Sequence, residues 1–225
     1  MMNTFQFDTA SLLVALPEIF LLSSIVVILL LDIFLTKGFK QVTYYLTQAS
    51  LLMTGILSYS LIGQPETLIF SNSFVMDDMA SVFKVFMMGA AMVAMVYSRH
   101  YLTQHSLFRG EYFILVLLSI LGMMVMVSGY SLLTLYLGLE ILSLSLYTLI
   151  AIARKRSGAI EAALKYFVLG AIASGLLLYG MSMIYGISGS LNIIDIAAFA
   201  SDANLGSRET LIINFGLVFL VIGIA

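Results

Sequence analysis

Two ionisable residues, Glu140 and Lys165, stand 25 positions apart in otherwise apolar stretches, TLYLGLEILSLSLYTL and AALKYFVLGAIAS, on either side of the basic triplet Arg154-Lys155-Arg156. A charge deep in a bilayer is costly, so such groups are rare, usually face the protein interior and often mark ion pathways. Buried near each other on neighbouring helices, these two would be an acid and a base. At an effective dielectric near 20, opposite charges about 6 Å apart attract by roughly 3 kcal/mol. Making and breaking such a pair would then act as a proton switch.

Counting by helical neighbours from Glu140 gives Tyr136, Ser143 and Tyr147, a polar stripe on a Leu-rich segment. Those hydroxyls either solvate the carboxylate and carry a water chain, or simply join helices by hydrogen bonds. Lys165 also has a plainer reading. Glu161 lies four residues earlier, in the favourable Glu-before-Lys order, and a long Lys near a helix end can snorkel to the interface. Two further charges fall inside apolar runs: Glu18, beside Pro17, and Lys84, a turn or two beyond Asp77 and Asp78.

The elements that must hold these residues are membrane helices. The 225 residues are 61% hydrophobic and only 10% charged, with mean hydropathy +1.09, far from the make-up of soluble domains. The apolar runs have helical length, whereas barrel strands would be short and alternating. The fold class is therefore an all-α integral membrane protein, a polytopic bundle of about seven transmembrane helices. Zero cysteines exclude disulfides, thiolate metal sites and iron–sulfur ligation by these residues. His100 and His105 sit beside an expected loop, away from any carboxylate cluster, which argues against a metal or haem site. The net charge of −2 says little about partners, and no nucleic-acid motif, dinucleotide fingerprint, P-loop or catalytic triad pattern is present. The opening MMNTFQFDTASLL lacks a positive leader region and runs into a stretch too long for a signal peptide, so it reads as a retained first helix.

In order, the first span is expected over about 11–35, with Pro17 kinking it or lying in its first turns and Asp32 interfacial. The second covers 41–63 and the third about 79–98, whose methionines read as adaptable packing. A polar loop from Gln64 to Asp78 separates them, and a loop with Arg99, His100, His105 and Arg109 follows. The run from Tyr112 to Ala153 would reach about 63 Å as one helix, so it must fold back, at Ser128-Gly129-Tyr130-Ser131. Glu140 then lies about 15 Å into the fifth span. The sixth, from Ser157-Gly158 to about Ser188, carries Gly170, Ser174, Gly175 and Gly180 as a surface for close helix approach. LNIIDIAAF is expected along the interface, and 210–225 gives about 24 Å, a last span that reads as cut.

Alternate loops divide Lys and Arg unevenly. Lys37, Lys40, Arg99, Arg109 and the 154–156 triplet fall on one side and Arg208 on the other, which puts the N-terminus outside and the basic loops in the cytoplasm.

The blocks EYFILVLLSILGMMVMVSGYSLLTLYLGLEILSLSLYTL and EAALKYFVLGAIASGLLLYGMSMIYGISGS resemble the antiporter-like subunit N family of the bacterial proton-pumping NADH:quinone oxidoreductase, respiratory complex I. The likeness extends more weakly to Leu16-Pro17-Glu18 and to the Phe74–Lys84 region. It implies a proton-translocating membrane-arm subunit of the inner (cytoplasmic) membrane, with Glu140 and Lys165 as an intramembrane pair. Glu18, Lys84, Tyr136, Ser143, Tyr147 and Glu161 would be supporting residues. It also implies that NADH, FMN, iron–sulfur clusters and quinone belong to other subunits, with none on this chain, and that the partners are neighbouring antiporter-like and small membrane subunits within the lipid bilayer. On this reading residues 1–110 hold helices one to three, and 111–225 begin the first antiporter-like repeat, helices four to seven. The family's helix-seven lysine and its second repeat lie beyond Ala225, so the chain reads as the N-terminal portion of a longer subunit. Two other readings stand beside it: a subunit of a multi-subunit cation/proton antiporter, and a structural spacer whose charges only fix helix register.

Overall fold

The computed structural model describes residues 9–34, 40–154, 156–201 and 206–224. Lys37 and Lys155, which entered the charge count of the loops, lie outside them. The chain opens with α1 (Thr9–Val14) and α2 (Leu16–Phe34), which the sequence had suggested as one span. Pro17 separates them, because it lacks the amide that would bond the Leu13 carbonyl and its ring crowds that group. α2 turns Glu18, Leu21, Ile25 and Ile28 inward, one face at helical spacing.

α3 (Lys40–Ser60) is the second expected span. Its 21 residues reach about 32 Å, yet five of its inward residues are hydroxylic: Thr43, Thr47, Ser50, Thr54 and Ser58, all buried. Four of them donate to the carbonyl four residues back, at 2.8 to 2.9 Å, and Thr43 donates to Asp32 on α2 at 3.0 Å. A polar row is thus buried without leaving donors unpaired. Among the described residues six helices are long and apolar enough to cross a membrane, and the hydroxyl-rich α3 is not one of them: α2, α4 (Asp78–Gln104), α5 (Gly110–Val127), α6 (Leu132–Ile150), α7 (Ser157–Ser188) and α9 (Ser207–Ile224).

Arg99 and His100, expected in a loop, instead continue α4 for two more turns. Arg99 lies 5.0 Å from the centre of the Tyr44 ring, so its charge is held by an aromatic face as the stem runs along the helix. α5 is the core helix. Phe113, Leu117, Ile120 and Met124 are fully buried against α2, α3 and α6. The break before α6 falls at the Ser128–Ser131 cluster, and the Ser131 hydroxyl caps α6 by accepting from Thr134 N. α7 ends at Gly189, whose φ of 68° is the left-handed conformation that closes a helix. α8 (Ile193–Ala200) forms from the short apolar patch.

One element was not anticipated. Within the expected loop, β1 (Thr67–Ile69) and β2 (Phe74–Met76) pair as an antiparallel hairpin. Its turn residues Phe70, Ser71 and Asn72 all have positive φ. The hairpin is stitched to the α5–α6 turn, with Val75 N donating to Ser128 O at 2.9 Å and Tyr130 N donating to Ser73 O at 3.0 Å. Leu132 N donates to Leu191 O at 2.9 Å and brings in the α7–α8 connection. One end of the bundle is closed by this belt of backbone bonds.

Candidate functional site

α6 and α7 run antiparallel, and their seam holds Glu140. Ser174 on α7 donates to Glu140 Oε2 at 2.8 Å, a charge-assisted bond inside a half-buried interface. Further along, Tyr147 is 9% exposed and meets Tyr166 and Phe167 edge-on, with ring centres 4.9 and 5.7 Å away. Its hydroxyl occupies the space a side chain at Gly170 would need, since a Cβ there would fall 1.8 Å from it. Gly170 is therefore required for Tyr147 to enter the seam. Tyr136 and Ser143 are partly buried, one turn to either side of Glu140.

Lys165 is not in this seam. It pairs with Glu161 at 2.6 Å, and the two side chains are 71% and 67% exposed. It precedes Ser174 by nine residues, so it lies about 13 Å along α7 from the level of Glu140. The direct Glu140–Lys165 contact expected from sequence is not formed, and the local i,i+4 pairing takes its place. Distance in sequence gave the two helices correctly but not the rotation of α7, whose outward face carries Lys165.

The buried ion pair among the described residues is elsewhere. Lys84 on α4 is 1% exposed and is paired with Glu18 on α2, itself 7% exposed. The ammonium also lies 5.2 Å from the centre of the Phe74 ring in the hairpin. Other ion pairs among the described residues, Glu111–Arg154 and Glu161–Lys165, are exposed. Glu18 and Lys84 were singled out only as separate candidates, because a pairing over 66 positions has no local signature. Ser174 was read as a small residue for helix approach, and its polar role becomes visible only once α6 and α7 are in register. Among the described residues no group of three or more His, Cys, Asp or Glu is placed to hold a metal ion.

A Ser174→Ala replacement removes the serine hydroxyl bonded to Glu140. Loss of a hydrogen bond to a charged group costs about 1.5–3 kcal/mol. We expect a lower thermal midpoint for the assembled complex, read by a fluorescence or calorimetric scan, with the fold retained.

The chain resembles known proteins along its whole length. Residues 129–225 match the family described as NADH:quinone oxidoreductase/Mrp antiporter, transmembrane. NADH-quinone oxidoreductase subunit N of Ruthia magnifica is 80% identical over 225 residues, all of this chain and 46% of that one. The subunit N of Hydrogenovibrio crunogenus is 43% identical over 220 residues, 98% of this chain and 45% of that one. Among solved structures, respiratory complex I from Thermus thermophilus with bound aureothin matches with TM-score 0.73 and 28% identity, covering 92% of this chain and 42% of that one. The membrane-bound sulfane sulfur reductase, an archaeal respiratory membrane complex, matches with TM-score 0.77 and 25% identity, covering 96% and 44%. The chain spans a little under half the length of the curated relatives it matches. A multi-pass helical bundle, a carboxylate held in the α6–α7 seam and this identity to subunit N sequences together place the chain in the family of antiporter-like membrane subunits of NADH-quinone oxidoreductase.

Proposed function

We propose that this chain is the N-terminal portion of a membrane-arm subunit that moves protons while other subunits pass electrons from NADH to quinone. The observation that carries the reading is Glu140, a carboxylate within a membrane helix whose partner is a hydroxyl of the neighbouring helix. A serine can donate to a carboxylate and can accept from its protonated form, so the contact persists through a cycle of protonation. Tyr147, Tyr136 and Ser143 line the same helix and extend the polar track. Lys165 and Glu161 serve as a second station on the outer face of α7, where their exchange with Glu140 runs through intervening groups. FMN, iron–sulfur clusters and quinone belong to the other subunits. The neighbours are further antiporter-like and small membrane subunits. The basic loops face the cytoplasm of a bacterial cell, and the first antiporter-like repeat starts near residue 111.

The test uses the full-length subunit in its assembled complex. Glu140→Gln keeps the size and the bond to Ser174 but cannot carry a proton. The expected result is a reduced ratio of protons translocated per NADH oxidised. Lys165→Ala should lower the same ratio while costing only a few tenths of a kcal/mol of stability, since its ion pair is exposed. A normal ratio in Glu140→Gln overturns the proposal. The matched family also includes Mrp antiporters, which supports a second reading as a cation/proton antiporter subunit. Deletion that leaves NADH:quinone reductase activity intact but produces sensitivity to salt or alkali would favour it.

A further inference from the structure

The α2–α4 seam holds a polar cluster that the reading of Glu140 does not use. Asp77, just before α4, and Ser81 and Lys84 within it fall at i, i+4 and i+7, one helical face. Asp77 is the N-cap, its Oδ1 accepting from Ala80 N at 2.7 Å. It lines a recess of about 230 Å³ with Met79, Ala80, Phe83 and Val127. Met79 and Phe83 are 67% and 46% exposed, so the recess opens outward. One turn inward, Ser81 is 1% exposed and its Oγ has no hydrogen-bond partner among the described residues. The next turn reaches Lys84 and, through it, Glu18, whose Oε2 is also without one. The Ser128 hydroxyl, on the turn that bonds the hairpin, is a further group without a partner among the described residues.

Buried hydroxyls and carboxylate oxygens are seldom left without partners, and where several gather, ordered water supplies them. The contrast with α3 is informative. There every hydroxyl in the row already donates a hydrogen bond, so the row has no unpaired donor for water to satisfy. An ion pair serving only as a clamp has no need of an unpartnered serine one turn along the same helix face.

We propose that Glu18, Lys84 and Ser81 form a second buried proton-exchange site, hydrated through the Asp77 recess from the end that carries the hairpin. A proton passed along the water chain to the Glu18 carboxylate yields the neutral acid, breaks the ion pair and leaves Lys84 as the sole charge. Return of that proton to the same chain restores the pair. No other bond forms or breaks, and the site is separate from Glu140.

Residues 1–225 contain no cysteine, so a thiol introduced here is followed by mass mapping of peptides from this portion. Ser81→Cys is nearly isosteric. In the full-length subunit within its complex, a charged, membrane-impermeant methanethiosulfonate applied from the hairpin side should modify Cys at this position. The rate should be at least about tenfold above that of Ser119→Cys, because the thiolate forms only where water reaches it. Ser119 is 7% exposed and its hydroxyl is bound to Val116 O. Equal rates, or labelling only from the opposite side, overturn the hydrated route. The second arm is Glu18→Gln with Lys84→Gln, which leaves no lone charge. Fewer protons per NADH oxidised are expected, and an unchanged ratio overturns the exchange role. Glu140 is intact in these variants, so this failure is distinct from a normal ratio in Glu140→Gln.

Discussion

Glu18→Ala, with Lys84 kept, is expected to destabilise the α2–α4 seam by about 3–5 kcal/mol, the usual cost of leaving one member of a buried pair without its counter-charge. Lys84 is among the largest fully buried side chains, and its surroundings include the Phe74 ring and the Ala15–Ile69–Phe74 cluster. Lost assembly of the subunit, or a thermal midpoint far below the parent, would be the readout. The double change Glu18→Leu with Lys84→Met should recover most of the loss, since apolar side chains of similar volume can replace a buried pair at little cost. Near-normal stability in the single variant would show that Lys84 does not depend on the Glu18 carboxylate.

The second large effect is expected at Gly138. A Cβ there would fall 2.7 Å from Gly122 O and 2.8 Å from Met126 N, while one on Gly122 would fall 2.7 Å from Gly138 O. These are backbone atoms, which cannot rotate away as a side chain could. Gly138→Val should therefore push α5 and α6 apart and cost at least the 1–3 kcal/mol or so typical of overpacking. Because Gly138 lies two residues before Glu140, the disturbance reaches the bond with Ser174 as well. Gly175→Ala is the control. None of the described residues lies within 4 Å of its added Cβ, and alanine favours a helix over glycine by roughly 1 kcal/mol. Comparing the yield of assembled complex for the two variants checks the prediction.

These outcomes rest on features of unequal legibility in the sequence. The helices from Gly110 onward could be placed because length and turn chemistry agree: no bilayer helix runs from Tyr112 to Ala153, and a single cluster of turn formers interrupts it. Glu140 could be marked as an inward acid because charge in an apolar run is costly wherever the helix lies. Helix rotation could not be read so well. The 32-residue α7 has apolar groups on every side, so its periodicity gave no reason to send Lys165 outward and Ser174 inward. The Glu18–Lys84 pair depends on how α2 and α4 meet, which no local pattern records. The hairpin was obscured because Thr67–Met76 is short and its turn relies on positive φ at Phe70, Ser71 and Asn72, unusual for the first of these. Arg99 and His100 were misplaced for a different reason. Charge suggested a loop, while a ring stack on Tyr44 allows the helix to carry the arginine onward.

The self-bonded hydroxyls of α3 bear on how the chain is built as well as on how it stands. A segment whose polarity is spent on its own carbonyls is comfortable once surrounded, but it presents a weak signal to the insertion machinery, which judges each emerging stretch largely by its oiliness. The strongly apolar α2 and α4 on either side would have to carry it into the bilayer, so these three helices are expected to enter as one unit, with the Asp32–Thr43 bond available as their earliest side-chain tie.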